Sequence, residues 1–519
     1  MQRAQSTVEQ LIRERLAEAP DAVWLMFKDT RYTWRQVVSW SQRVANGLLD
    51  LGVRPGENVG LMGGNKPEFL WAYFGILMIG AHAVPLNKWQ RGPALEHMLK
   101  DSGATALVFD DDLRDLLVAL RPACPGLRYL VAFDGDAGSG VEANFAQLAQ
   151  GADREPPVEV GSPSGAVGIM YTSGTTGPPK GTVATTYENF LGPLLDASGV
   201  QPGETMYACL PLFHGNALLV SAVGSIRLKA RLALAERFSA SQFWDDCRKY
   251  NAVEVNTLGG IVAILMKQSP APGDIDNPVR TVLSVGCPAP AWREFEDRFG
   301  VNVVEWYGMS DSPGNLINLE GKVGSVGKPV GGAEFRIVDD QDQELPPGTL
   351  GQLVFRHPAG QATHYRNMPQ ATAEAYRGGW FHSGDLAQMD EEGFFYFRGR
   401  MKEAIRRRGE NISAWEVESV IDQHPKVQES AAFGVPSEMS EEDVMVAIVP
   451  QPGIPPTPQE ILEFCQGKMA YFATPRFVEI LEALPKTATQ KIQKNVLKAR
   501  GRTATTWDRE AAGFVLRRE

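Results

Sequence analysis

The chain has 519 residues, enough for two or more domains with sizeable cores. Its 43% hydrophobic and 22% charged residues are ordinary for a globular protein, and a formal net charge of −11 argues against a nucleic-acid binder, which carries a basic excess. Cys124, Cys209, Cys247, Cys287 and Cys465 are odd in number, far apart and lack a CxxC pair; that excludes a disulfide framework or cysteine zinc site and suits a reducing cytoplasm.

The first 20 residues read as a polar, helix-like stretch with acidic residues, unlike a secretory leader. Between 30 and 150, amphipathic helices such as 34–51 alternate with short apolar strands such as 57–61 and 106–109. The uncharged run 69–86 nominally reaches the length of a membrane span, but Gly75, Gly80, His82 and Pro85 interrupt it. It reads as a buried helix feeding a strand, so no membrane span is expected. Strand-like runs at 166–171, 281–285 and 303–306 continue an alternation that implies parallel sheets covered by helices. From about 330 to 400 the pattern changes to short strands broken by turns (334–338, 351–356, 394–397), the mark of a more antiparallel region. After Arg398-Gly399-Arg400 the charge density rises and a compact α/β pattern runs to about 500. A domain boundary is placed there, giving 1–399 and 400–519, with the last dozen residues loosely held.

The segment Tyr171-Thr172-Ser173-Gly174-Thr175-Thr176-Gly177-Pro178-Pro179-Lys180-Gly181 follows an apolar strand. Glycines let backbone N–H groups turn towards a polyanion, hydroxyls add donors, and the lysine supplies a point charge. It is not the GxxxxGK[ST] pattern, since no Ser or Thr directly follows Lys180. In isolation such a Ser/Thr/Gly loop is also a common connector. The string closely resembles the phosphate-binding loop of the adenylate-forming superfamily, which includes acyl-CoA synthetases, and further matches follow in the family's order along nearly the whole chain. What the resemblance implies is an α/β fold: a large N-terminal domain of mostly parallel sheets with helices plus a distorted β region, and a small mobile α+β C-terminal domain.

The resemblance also assigns roles. Thr172, Ser173, Gly174, Thr175, Thr176 and Lys180 would hold phosphates. His214, in Leu210-Pro211-Leu212-Phe213-His214, would lie beside the acyl pocket and count with the catalytic residues, with Gly259, Gly260, Gly308 and Met309 lining the pocket. Gly286, Cys287 and Pro288 look like the adenine-side loop, and Tyr307 can stack on the base. Asp311 stands where the family usually has a glutamate that helps bind Mg²⁺ on ATP. Asp385 and Arg400 match the ribose contacts, and Lys402 the hinge. Arg408, Gly409 and Glu410 resemble the loop lining the CoA tunnel, although most relatives have Gly-Gly where this chain has Arg408-Gly409. Lys491, preceded by Gln490 in place of the usual glycine, matches the catalytic lysine, whose charge suits a pentavalent phosphate.

The expected activity is therefore that of an acyl-CoA ligase working through an acyl-adenylate, with ATP/AMP, Mg²⁺ and CoA as cofactors and co-substrates, and with rotation of the C-terminal domain between half-reactions. A carboxylic acid is the other small-molecule partner, nucleic acid is not, and a homodimer is one admissible assembly. Gly259 and Gly260 leave room for a bulky acid, while Asn256 to Gly260 also resembles ligases of the crotonobetaine/carnitine type. Asp311, Arg408 and Gln490 depart from the family pattern, which keeps three other readings open: a thioester-forming enzyme fed with preformed acyl-adenylate, activation for a separate carrier protein, and a non-catalytic nucleotide binder.

Overall fold

Apolar strands alternating with amphipathic helices assemble into two large sheets. The computed structural model describes residues 7–157, 168–172, 178–184, 188–357, 360, 363–401, 404–438, 441–485 and 492–516. By contacts the chain divides into two compact units: 1–88, 99–171 and 181–398 form the first, and 89–98, 172–180 and 399–519 the second.

One large sheet runs in the order Thr363–Tyr365, Lys180–Ala184, Gly168–Thr172, His82–Pro85, Asn58–Met62, Ala104–Phe109, Tyr129–Ala132, Ala143–Asn144. Its members from Gly168–Thr172 to Ala143–Asn144 pair in parallel. The helix Trp34–Leu51 begins at a capping box made by Thr33 and Gln36 and stops at Gly52, whose φ of 111° few side chains tolerate. The apolar run at 69–86 becomes the buried helix Pro67–Met78 and then the strand His82–Pro85. Among the described residues, no helix is long and apolar enough to cross a membrane.

The second large sheet places Asn302–Met309, Thr281–Val285, Ala252–Leu258, Thr205–Ala208, Arg231–Leu234 and Val23–Phe27 side by side in parallel. Loops at the carboxyl ends of such strands are where open α/β sheets bind ligands. A third, four-stranded sheet of Glu334–Val338, Gly351–Arg356, Phe381–Met389 and Phe395–Arg400 is antiparallel across its first three members, as the turn-rich pattern predicts. Phe335 and Phe355 stack in its core with ring centroids 4.7 Å apart.

Strand Ala252–Leu258 buries an unusual polar group. Glu254 is fully buried, its Oε1 accepts from Asn256 at 3.0 Å, and its Oε2 has no partner among the described residues. Desolvation pushes its carboxyl from the ordinary 4.5 up to about 8. The folded chain thus keeps a proton that the unfolded chain releases above about pH 4.5, so stability falls as pH rises from there towards 8. Glu254→Gln removes this penalty. The melting temperature of the variant minus that of wild type is expected to widen by a few degrees, roughly, between pH 5 and 8. A gap independent of pH in thermal melts would mean that Glu254 is ionised in the fold.

The second unit has a four-stranded sheet ordered Val427–Pro436, Glu442–Pro450, Phe477–Ile480, Trp507–Asp508, with helices Ala414–Ile421 and Pro458–Cys465 contributing to its apolar core. Arg407 pairs with Asp443 at 3.0 Å, both buried, and Asp443 also meets Arg476 at 3.0 Å. The expectation that the last dozen residues are loosely held is corrected as far as Arg509. Trp507–Asp508 adds to the sheet edge beside Phe477 and Val478, and buried Arg509 donates to the carbonyls of Thr474 and Pro475. A threonine-rich segment without periodicity carries no local sign of such anchoring, because strand addition and a buried guanidinium are tertiary interactions.

Candidate active site

Strand Asn302–Met309 carries the residues expected on the nucleotide side. Tyr307 is buried and donates its hydroxyl to Asp385 Oδ2 at 2.6 Å. Asp385, on strand Phe381–Met389 of another sheet, is 1% exposed. The residues expected at the base and at the ribose therefore touch, although 78 positions separate them in the chain. The Phe397 ring lies 6.4 Å from that of Tyr307.

Sequence reasoning missed Glu305. Two residues before Tyr307 on the same strand, and so on the same face, it is 3% exposed, and its carboxylate accepts N–H groups from Gly286 and from Cys287, the latter at 3.0 Å. The available signal was a carboxylate inside the otherwise apolar run Val303-Val304-Glu305-Trp306. Gly286, at φ 81°, turns the chain as strand Thr281–Val285 ends, and Pro288 leads into a short helical turn. Cys287 is buried, and burial holds its thiol well above the ordinary range.

Asp311 follows the same strand. Its Oδ1 accepts from the hydroxyl of Thr182 at 2.9 Å, and its backbone carbonyl accepts from Thr363, which lies 2.7 Å from the Tyr376 hydroxyl. The shorter acid is thus tied to a buried threonine. Among the described residues no group of three His, Cys, Asp or Glu side chains converges. A lone carboxylate suits Mg²⁺ that arrives on a nucleotide, since this ion usually takes one or two carboxylates together with phosphates and waters.

His214, expected beside the acid, is half-buried with its ring 4.8 Å from that of Phe213, at the head of an eight-residue π-helical stretch, Asn216–Val223. Such stretches are rare and concentrate at functional sites. Ser221 within it accepts from Asn256 at 3.0 Å. The expectation that Gly259 and Gly260 both open space is corrected. A Cβ at Gly259 would lie 1.8 Å from the Gly286 carbonyl oxygen, whereas one at Gly260 would meet nothing within 4 Å. Gly259 is small because two backbones touch there; Gly260 alone leaves room. Gly308 and Met309 are half-buried at the end of their strand.

Thr172 ends one strand and half-buried Lys180 starts its neighbour in the sheet, so the loop expected to hold phosphates joins adjacent strands. Ser173, Gly174, Thr175 and Thr176 lie outside the described residues, as do Lys402, Lys491 and the Arg400 side chain.

In the second unit, Arg408 and Gly409 form a two-residue turn between strands Ala404–Arg407 and Glu410–Ser413, with φ of 52° and 83°. Both lie in the left-handed region, which is why glycine suits each position and why Arg408 carries backbone strain. The Gly409 N–H donates to Glu441, and Arg408 is exposed. Arg407, Arg408, Tyr471, Phe472, Arg509 and Phe514 line a cleft of about 370 Å³ in this unit.

The AMP-binding enzyme family matches residues 12–365, and the AMP-binding enzyme C-terminal domain matches residues 416–491. A crotonobetaine/carnitine–CoA ligase of Salmonella arizonae is 32% identical over 482 residues, covering 88% of this chain and 91% of the relative. An oxalate–CoA ligase of Arabidopsis thaliana is 32% identical over 474 residues with the same coverage. The structure of an o-succinylbenzoate CoA synthetase from Bacillus subtilis, a double mutant bound to a product analogue, matches with a TM-score of 0.81 at 25% identity, covering 95% of this chain and 98% of that one. Matched along both of its units, the chain belongs to the AMP-binding enzyme family.

Proposed function

We infer that this AMP-binding enzyme is an acyl-CoA ligase. The observation that carries this reading is the likeness along 88% of the chain to CoA ligases at 32% identity. A carboxylate oxygen of the acid attacks the α-phosphorus of ATP, the bond to the bridging oxygen breaks, and acyl-AMP and pyrophosphate form. The thiol of CoA then attacks the acyl carbonyl, loses its proton and expels AMP. Little covalent work falls to the protein; positioning and fixed charge do most of it.

Tyr307 stacks on the base and Asp385 accepts from the ribose hydroxyls, with Arg400 as a second ribose contact. The loop around Thr172 to Lys180 holds the departing phosphates. Asp311 would be the protein's ligand to Mg²⁺ carried by ATP, an ion that neutralises phosphate charge, and Thr182 keeps that carboxylate in place. Lys491 stabilises the transferring phosphoryl group, and the turn at Arg408, Gly409 and Glu410 serves the thioester step, with alternation hinged near Lys402. The cationic and aromatic lining of the cleft beside Arg408 suits the phosphates and base of CoA.

Space for a bulky acid now rests on Gly260 alone. Relatives named for crotonobetaine/carnitine and for oxalate support a compact, polar acid. A second reading, thioester formation from preformed acyl-adenylate, is favoured by one observation: Asp311, the short acid at the position expected to hold the metal, already accepts from Thr182.

One experiment separates the readings. The protein is incubated with CoA and a panel of acids, supplied as free acid with ATP and Mg²⁺ or as synthetic acyl-adenylate, and acyl-CoA is quantified by mass spectrometry. Product from free acid, abolished by chelating Mg²⁺, is the expected result. Product only from acyl-adenylate would select the second reading, and no thioester from either supply would overturn both.

A further inference from the structure

The adenine-side loop is gripped at one residue from two directions. Gly286 gives its N–H to Glu305 Oε1, and Cys287 gives its N–H to Oε2 at 3.0 Å. From the other side the backbone of Gly259 presses on the Gly286 carbonyl so closely that no Cβ fits. Strand register delivers the carboxylate: Glu305 stands opposite Ser284 in the parallel pair of Thr281–Val285 and Asn302–Met309, and its side chain reaches the amides just beyond the strand end. Two successive N–H groups form a concavity that holds an anion, and here the protein's own carboxylate fills it. At 3% exposure these bonds are shielded from water, which strengthens them and makes their loss costly.

We propose that Glu305 is a positioning residue for ATP, fixing the Gly286–Cys287 amides against Gly259 so that the surface offered to the adenine keeps its shape. The proposal rests on the reading that residues 286–288 face the base. Glu305 and Tyr307 lie on one face of one strand, so the strand that presents the stacking ring also braces the loop beside it. Gly259 opens the acid-side turn, so the clamp joins that turn to the base-side loop, and disturbing either jaw is felt by the nucleotide.

The test is Glu305→Gln, which preserves shape but turns an amide NH₂ towards one of the two backbone N–H groups. KM for ATP is expected to rise roughly tenfold, and the ATP-over-GTP preference in kcat/KM to fall by a similar factor, as for the loss of one charge-assisted hydrogen bond. KM for the acid should stay within about twofold, because the two bonds that the substitution disturbs run to the Gly286 and Cys287 amides. Gly259→Ala attacks the opposite jaw and should show the same loss of base preference, which keeps the test available if the first variant does not fold. Glu305→Asp, one methylene shorter, should fall between wild type and Glu305→Gln.

Folded variants with unchanged KM for ATP and unchanged base preference would overturn the proposal. So would a fall in rate that is equal for both nucleotides, or loss of folding in all three variants, since each marks a purely structural carboxylate. A wild-type enzyme with no preference for ATP over GTP would instead remove the premise that residues 286–288 face the base.

Discussion

Lys491→Ala is expected to lower acyl-adenylate formation by about 10²–10³-fold or more, the range found when a fixed transition-state donor is removed. Attack of a carboxylate on the α-phosphorus gathers negative charge on the phosphoryl oxygens, and a lysine held there at no reorganisation cost stabilises that charge more than water can. The thioester step has no such phosphorus. CoA acylation from supplied acyl-adenylate should therefore stay within about threefold of wild type. Isotope exchange between ATP and pyrophosphate measures the first step, and mass spectrometry of acyl-CoA measures the second. Normal exchange in the variant would remove Lys491 from the chemistry. An equal fall in both steps would assign it to folding or to a role common to both.

The second large effect is expected at Asp385. This carboxylate is buried beneath the Tyr307 hydroxyl, 2.6 Å away. Asp385→Asn keeps the shape and one acceptor for Tyr307 but removes the charge that, on the proposed reading, takes up ribose hydroxyls. Losing charge-assisted hydrogen bonds worth about 1.5–3 kcal/mol each should raise KM for ATP by roughly 10²-fold. Tyr307→Phe leaves the stacking ring and deletes only the contact to Asp385, so its effect should be smaller, about threefold to tenfold. AMP is part of the substrate in both half-reactions, so Asp385→Asn, unlike Lys491→Ala, should weaken both. Steady-state kinetics on ATP and on acyl-adenylate, beside a thermal melt, decide it. An unchanged KM for ATP with a fall in kcat alone would place the carboxylate away from the ribose.

Much of this was legible in the residues. The helix at 34–51 carries its own capping box and terminal glycine, and the strands at 281–285, 334–338 and 351–356 are bounded by turn chemistry, so local sequence sets their limits. The uncharged run at 69–86 could be read as helix then strand because Gly80 and Pro85 break it. The strings around Thr172 to Lys180, Tyr307 and Asp385 stand out as motifs, since each joins residue types whose chemistry is local, and their roles remain the proposal made above.

Tertiary structure decided the rest. Nothing in the spacing of Tyr307 and Asp385 states that their side chains touch, because they stand on different sheets. Glu305 looked like an interruption of an apolar strand; only the parallel register beside Thr281–Val285 brings it under two amides. Gly259 and Gly260 are adjacent and identical in sequence, yet one is pinned against a backbone carbonyl and the other faces open space. The same holds for the terminus, where Trp507–Asp508 finds a strand edge and Arg509 finds carbonyls some 35 residues earlier in the chain. Sequence by itself determined the elements and the chemical inventory, because periodicity, caps and turn residues act over a few positions. Which groups meet was settled only by packing, since strand register and close backbone approach depend on segments far apart in the chain.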